Sequence, residues 1–374
     1  MNYEIRYATN GKPYYMKKTK NGWKRVTDVE GIKNIENLTE KAECIKKGKI
    51  RQISKFSQTT GIELDKFKLP HELYITQGVP GLLRYKNNRL FVNPKKIGQG
   101  GFGGIYKYTE KSTQKTIILK ISDTSFPYES KMVSKYSKAL VQNCHGIRYT
   151  EYIGSHKDVD KMYYYMTMNY LNGDLFDLYK SRILKTEKQA MGIFWALFQR
   201  LRCLKKMNLY YIDMKLENVF YRCLNDKQYV IILGDLGGLT VENNKPVPVT
   251  YFPPETRIGK TRDTTVNKEK MSIWQLALVP VLLMEHNLSP VDYKLWNKFV
   301  RGGDNSTFNR RWLKRVDTNW EKGRSRNLRR LNSIIDTLFK DPVNNKIIKK
   351  CLQCKPEKRM NISQLNKWIK KVNW

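Results

Sequence analysis

Hydrophobic and polar positions change period along the chain, and the change divides it in two. From about residue 94 to 121, Ile105, Tyr106 and Tyr108 and then the run Ile117-Ile118-Leu119 predict strands. "MYYYMTMNYL" at 162–171 predicts another. Between them, residues 127–141 open on Pro127 and set Met132, Val133, Tyr136, Ala139 and Leu140 at helical spacing. Beyond them the period turns helical. Residues 187–207 place Ala190, Phe194, Leu197, Leu201 and Leu204 on one face. "IWQLALVPVLLM" at 273–284 is apolar on all sides, with Gln275 and Pro280 inside it. It is short of the ~20 residues that span a bilayer, so it predicts a buried core helix. A strand-rich part with one helix, followed by a helix-rich part, predicts an α+β, two-lobed fold.

The first 93 residues are less regular. Asn10-Gly11 and Asn21-Gly22 are hairpin turn signals and predict a small three-strand meander over residues 1–30. Tyr14, Tyr15 and Trp23 there alternate with Lys17, Lys18, Lys24 and Arg25. Such mixing suits an acidic or nucleic-acid surface, and equally a mini-sheet whose aromatics pack on each other. Residues 31–60 read as helical and basic, a linker. Residues 61–93 are broken by Pro70, Pro80 and Gly81.

Charge adds a constraint on partners. Seventy Lys and Arg against 34 Asp and Glu leave a formal net charge of +36 over 374 residues. That excess favours polyanions: nucleic acid, an acidic membrane surface or acidic proteins. The Lys-, Asn-, Ile- and Tyr-rich usage also fits a solvated basic surface encoded by an AT-rich genome. The basic pairs between 301 and 371 carry the same two readings. Six cysteines make no disulfide framework by their spacing, and Cys351-Leu-Gln-Cys354 lacks the second pair that a zinc site needs. The pair reads as half-buried helix thiols. With no signal-like apolar start, the expectation is a reducing, intracellular setting, in the cytoplasm, the nucleus or a virion.

Three short stretches carry chemistry. Gly98-Gln99-Gly100-Gly101-Phe102-Gly103 fits G-x-G-x-x-G. It leads into Ile105-Tyr106-Lys107-Tyr108, a strand, which argues against a dinucleotide-binding unit where the glycines open a helix. A strand–loop–strand of this kind lies over phosphates and offers them backbone N–H groups. Lys120 closes the apolar run "TIILK" one hairpin later, where its ammonium needs an anion or a partner. Glu129, in the first turn of the next helix, is the candidate carboxylate. "YYIDMKLENVFY" at 210–221 then sets Asp213, Lys215 and Asn218 in one loop between apolar flanks.

Taken in order with "DLG" at 235–237, "PPE" at 253–255 and "CLQCKPEKRMNISQL" at 351–365, these stretches resemble the protein kinase superfamily from about residue 90 onward. The resemblance implies a β-rich N-lobe over 61–169 and a helical C-lobe over 170–374, behind a basic N-terminal extension over 1–60. It implies ATP and Mg²⁺ as cofactors. Asp213 would accept the proton of the attacking hydroxyl, Lys215 would steady the transferring phosphoryl group, and Asn218 and Asp235 would hold the metal. Gly98, Gly100, Gly103, Ile105 and Lys120 would enclose the nucleotide, with Glu129 pairing Lys120. Met168 and Tyr170 would belong to the hinge against adenine, with Asp174 near the ribose. Arg359 would pair with Glu255. Lys215 at its place is similar to the serine/threonine-specific group, which implies protein serine and threonine hydroxyls as substrates.

The departures matter too. Tyr211-Ile212 stands where the family has His-Arg, which removes the arginine that docks a phosphorylated activation segment. Activity independent of phosphorylation at Thr240, Thr250 or Tyr251 is therefore expected. Ser272 stands where an Asp normally tethers the catalytic loop, which leaves the tether open. Such divergent motifs resemble kinases of large DNA viruses. The competing readings are a basic nucleic-acid-binding scaffold with a vestigial ATP site, and a small-molecule phosphotransferase of kinase-like fold. The oligomeric state is not legible.

Overall fold

The computed structural model describes residues 3–7, 13–19, 22–25, 45, 49–50, 67–68, 75–76, 79–80, 83–85, 90–100, 103–122, 128–158, 161–225, 228–241, 251, 253, 267–300 and 328–371. Most of residues 31–60, Glu255 and the greater part of 242–266 and 301–327 lie outside them. The helical reading of 31–60 and the Arg359–Glu255 pair fall there.

The strand-rich part centres on β1 (Leu90–Gly100), β2 (Gly103–Glu110), β3 (Thr116–Ser122), β4 (Thr150–Asp158) and β5 (Lys161–Asn169). They form a seven-stranded sheet in the order β4-β5-β3-β2-β1, completed by Leu83–Tyr85 and Phe67–Lys68. All named pairings in it are antiparallel. Ile117, Leu119, Tyr108, Tyr165 and Phe91 bury together and hold it. Helix α1 (Tyr128–Asn143) crosses between β3 and β4 and buries Met132, Val133 and Leu140, three of the five positions its spacing predicts, while Tyr136 and Ala139 are half-buried.

The helix-rich part packs around two long helices, α3 (Glu187–Lys206), preceded by the short α2 (Leu175–Lys180), and α4 (Lys268–Met284). Thr186 caps α3 with Gln189 in a reciprocal capping box. α4 buries nearly all its residues, as its unbroken apolar run requires. Among the described residues no helix is long and apolar enough to cross a membrane. Between α3 and α4 the chain makes the hairpin β6 (Val219–Asn225) and β7 (Gln228–Leu233).

Tyr3–Tyr7, Pro13–Thr19 and Gly22–Arg25 form the expected three-strand antiparallel sheet. The linker reading of 31–60 needs correction at its end. Lys49–Ile50 adds a parallel strand to β7, and Ile45 is fully buried in the helix-rich core. An apolar residue in a basic run follows a groove when one is at hand, and the sequence does not show the groove.

The cysteine reading is also corrected. Cys144, just past α1, is bonded to Cys203 on α3, across 59 residues of chain. Cys223 is disulfide-bonded as well. Spacing hides such pairs because only the fold brings the two helices side by side. Cys351 and Cys354 stand outside any disulfide, but both are buried and Cys354 lies beyond the helix that ends at Cys351. Closing a loop of this length restricts the unfolded chain by about 4 kcal/mol. Reduction of the wild type is expected to lower its guanidinium unfolding midpoint below that of Cys144→Ala/Cys203→Ala, because reduction also opens the Cys223 bridge. The double variant keeps the Cys223 bridge, so it should still respond to reductant, but less than the wild type.

Candidate active site

The two parts meet at a cleft that brings Lys120, Glu129, Asp235, Asp213, Lys215 and Asn218 near one another. Above it, β1 and β2 reverse at the glycine stretch, with Gly103 opposite Gly100 and Ile105 opposite Gly98. This is strand–loop–strand. Gly103 sits at φ +153°, and a Cβ there would come within 1.7 Å of Ile121 O, so no side chain fits. Lys120 lies opposite Ile105 on β3 and is buried.

Lys120 Nζ reaches Glu129 Oε2 at 2.7 Å and Asp235 Oδ1 at 3.1 Å. Glu129 stands in the first turn of α1, and the short interval from Lys120 still closes the pair. Burial alone would lower the pKa of Lys120, but Asp235 and Glu129 outweigh it and hold the ammonium charged. One cation cannot fully compensate two buried carboxylates. Burial pushes Glu129 up to about 7 against the pull of Lys120. Burial also acts on Asp235, but Lys120 overcomes it and keeps that carboxylate ionised.

Across the cleft, Asp213, Lys215 and Asn218 share one loop. Lys215 Nζ lies 3.0 Å from Asp213 Oδ2. Asn218 Nδ2 donates to the same oxygen at 2.9 Å and to Asp213 O at 2.8 Å. Burial raises the pKa of Asp213, and Lys215 opposes the rise. Gly234 N donates to Asn218 O at 2.8 Å, which ties this loop to the turn carrying Asp235. Asp235 is left-handed, at φ 49°, and accepts from Gly237 N.

The remaining predicted residues fall as follows. Met168 is buried on β5, opposite Ile118. Tyr170 follows β5, with Lys107 Nζ 5.1 Å from its ring centre. Asp174 caps α2 by accepting from Asp177 N, and burial pushes it up to about 7. Leu236 is buried where it follows Asp235.

Three residues that hold the loop were missed or left open. Tyr211 donates its hydroxyl to Gly234 O at 2.5 Å and to Asp235 O at 3.2 Å. Ser272 Oγ donates to Tyr211 O at 2.7 Å. Gln275 spans the loop from below: Nε2 donates to Ile212 O at 3.0 Å, and Oε1 accepts from Met214 N at 3.2 Å. The loop is thus tethered by a neutral hydroxyl and a neutral amide. A lone amide in an apolar helix was the legible signal, because a buried amide must find partners. Gln275→Leu is expected to leave Ile212 O and Met214 N unsatisfied and to destabilise the protein by about 1–3 kcal/mol. Thermal unfolding with transfer assays checks this, and kcat should fall more than nucleotide affinity.

Residues 91–369 match the family model of the protein kinase domain. The chain belongs to the protein kinase domain family. Its kinase domain is similar to a probable myosin light chain kinase of Dictyostelium discoideum, 24% identical over 51% of this chain and 61% of that protein. It is similar to the meiosis-specific serine/threonine-protein kinase mek1 of Schizosaccharomyces pombe, 24% identical over 54% of this chain and 48% of that protein. It is 26% identical to the serine/threonine-protein kinase DCLK1 of Rattus norvegicus, over 54% of this chain and 45% of that protein. The matched part therefore spans between 45% and 61% of these relatives.

Proposed function

We propose that the protein is an active serine/threonine protein kinase that transfers the γ-phosphoryl group of a Mg²⁺-bound nucleoside triphosphate to protein hydroxyls. The observation that carries this is the convergence of two charge clusters. Lys120 bridges Glu129 and Asp235 on one side, and Asp213, Lys215 and Asn218 share hydrogen bonds on the other. Phosphoryl transfer needs positioning and charge neutralisation more than covalent chemistry, and this donor set suits it.

In this reading Lys120 binds the phosphates and Glu129 orients it. Asn218 and Asp235 fit a Mg²⁺ ion, since both offer hard oxygen donors. The metal would neutralise charge on the phosphates. Asp213 orients the attacking hydroxyl and takes its proton, and Lys215 steadies the phosphoryl oxygens. A pseudokinase would have little use for a buried Lys–Glu–Asp cluster, because buried ion pairs stabilise weakly at best. Tyr211 and Gln275 supply by neutral hydrogen bonds what a phosphorylated segment would otherwise order, which supports activity without that modification.

The test is transfer of labelled γ-phosphate with Mg²⁺ to basic, acidic and histone-like proteins, comparing the wild type with Asp213→Asn and Lys120→Met. Label on Ser or Thr from the wild type alone supports the reading. Label on Tyr alone, or none from a folded wild type, overturns it. Prior phosphatase treatment should leave the rate unchanged.

A further inference from the structure

Arg148 lies in the cleft wall and takes no part in the chemistry above. It follows the isolated bridge between Ile147 and Leu233, and its own N–H donates to Leu233 O at 2.7 Å. Its side chain is 8% exposed. Nε and Nη2 both donate to Asn169 O, at 3.2 and 2.6 Å. The guanidinium carbon lies 4.6 Å from the centre of the Phe220 ring. Among the described residues no carboxylate pairs with this cation, and Nη1 has no acceptor. Burial lowers its pKa to about 10, against the pull of Asp235, which leaves it charged at neutral pH.

Three contacts locate the guanidinium. Asn169 ends β5, at the connection between the two parts of the fold. Phe220 lies on β6, two residues after Asn218 of the candidate catalytic loop. Gly234 immediately precedes Asp235. A Cβ there would come within 2.4 Å of the Phe220 ring and 3.6 Å of Arg148 Cδ. The guanidinium is therefore set between the hinge carbonyl and the turn that carries Asp235. If the phosphates lie at Lys120 and Asp235 and the base at the hinge, Arg148 borders the base.

A methionine or leucine would fill this site without the cost of burying an unpaired cation. An arginine there has a use if a ligand supplies acceptors. The purine bases differ on that edge. Adenine presents an amino donor at the 6-position, whereas guanine presents O6 beside N7, the pair that an arginine fork matches. Nε and Nη2 of Arg148 already converge on Asn169 O from one guanidinium edge and draw on its electron density, so that carbonyl is a weakened acceptor for a 6-amino group. A 6-oxo group meets a donor instead.

We propose that Arg148 sets the base specificity of the cleft, and that the protein takes guanine nucleotides at least as well as adenine nucleotides. This rests on the reading of the cleft as a nucleoside triphosphate site. It goes beyond that reading by naming the base.

The experiment measures dissociation constants of Mg²⁺-bound ADP, GDP and IDP for the full chain by calorimetry, in wild type, Arg148→Met and Arg148→Lys. Wild type should bind GDP and IDP as tightly as ADP or tighter. IDP carries the 6-oxo group without the 2-amino group, so it isolates the edge that Arg148 faces and needs no variant. Arg148→Met should raise the GDP-to-ADP ratio of dissociation constants at least about tenfold. Arg148→Lys, which keeps the charge without the fork, should fall between. A wild type that prefers ADP, IDP binding far weaker than GDP, or a ratio that Arg148→Met leaves unchanged would each overturn the proposal. No binding of any nucleotide would overturn it together with the reading beneath it. Nucleotide binding with the expected ratios but no phosphate transfer would overturn the kinase reading and uphold the specificity.

Discussion

Asp213→Asn is expected to lower kcat by about 10²–10⁴ while nucleotide affinity stays close to that of the wild type. The substitution is nearly isosteric, so the loop should keep its shape. It removes the carboxylate oxygen that accepts from both Lys215 Nζ and Asn218 Nδ2. An amide in its place cannot take a proton from an attacking hydroxyl. Lys215 loses its counter-charge but is partly exposed, so stability should change little. Steady-state kinetics with labelled nucleotide, alongside calorimetry for nucleotide binding, separates the two effects. An unchanged kcat would remove Asp213 from the reaction. Loss of nucleotide binding with loss of rate would make it a structural residue.

Lys120→Met should show the second large effect, and it has a pH signature. Removing the ammonium leaves Glu129 and Asp235 buried with no cation between them, a change of the kind that costs about 3–5 kcal/mol. Both carboxylates then shift toward the protonated form. In the variant their folded-state pKa values lie above their unfolded values. The native state therefore holds protons that the unfolded state has released, and stability falls as pH rises through that range. The variant should be closest to wild type near pH 5 and furthest from it near pH 8, by thermal unfolding at each pH. Mg²⁺ should recover part of the loss at pH 8, because a cation at Asp235 replaces some of the missing charge. A deficit independent of pH and Mg²⁺ would mean that the substitution acts through packing alone. Phosphate transfer should be lost at every pH.

Gln275 shows why part of the site was hidden. In the apolar run 273–284 it reads as an interruption of a buried helix. Its amide becomes meaningful only when α4 passes beneath the loop and brings Ile212 O and Met214 N into reach. Tyr211 is similar. As a sequence letter it marks a missing histidine, yet its hydroxyl holds Gly234 O and Asp235 O in the neighbouring turn. Arg148 gave no signal, because nothing in "CHGIRYT" distinguishes a buried arginine from a solvated one.

Local order was determined by the sequence alone. The change from strand to helix period, the glycine hairpin, the loop of Asp213, Lys215 and Asn218, and the buried helix all follow from neighbouring residues. They follow because period, turn chemistry and loop motifs act over a few positions, and each named chemistry sits within one stretch. Tertiary structure alone decided what joins those stretches. It set Asp235 against the expected Lys120–Glu129 pair, bonded Cys144 to Cys203, set Lys49–Ile50 beside β7 and aimed Arg148 at Asn169 O. Each of these is a contact between segments whose spacing in the chain carries no trace of their distance in space. A buried charge or thiol acquires its role from the partner that the fold brings to it.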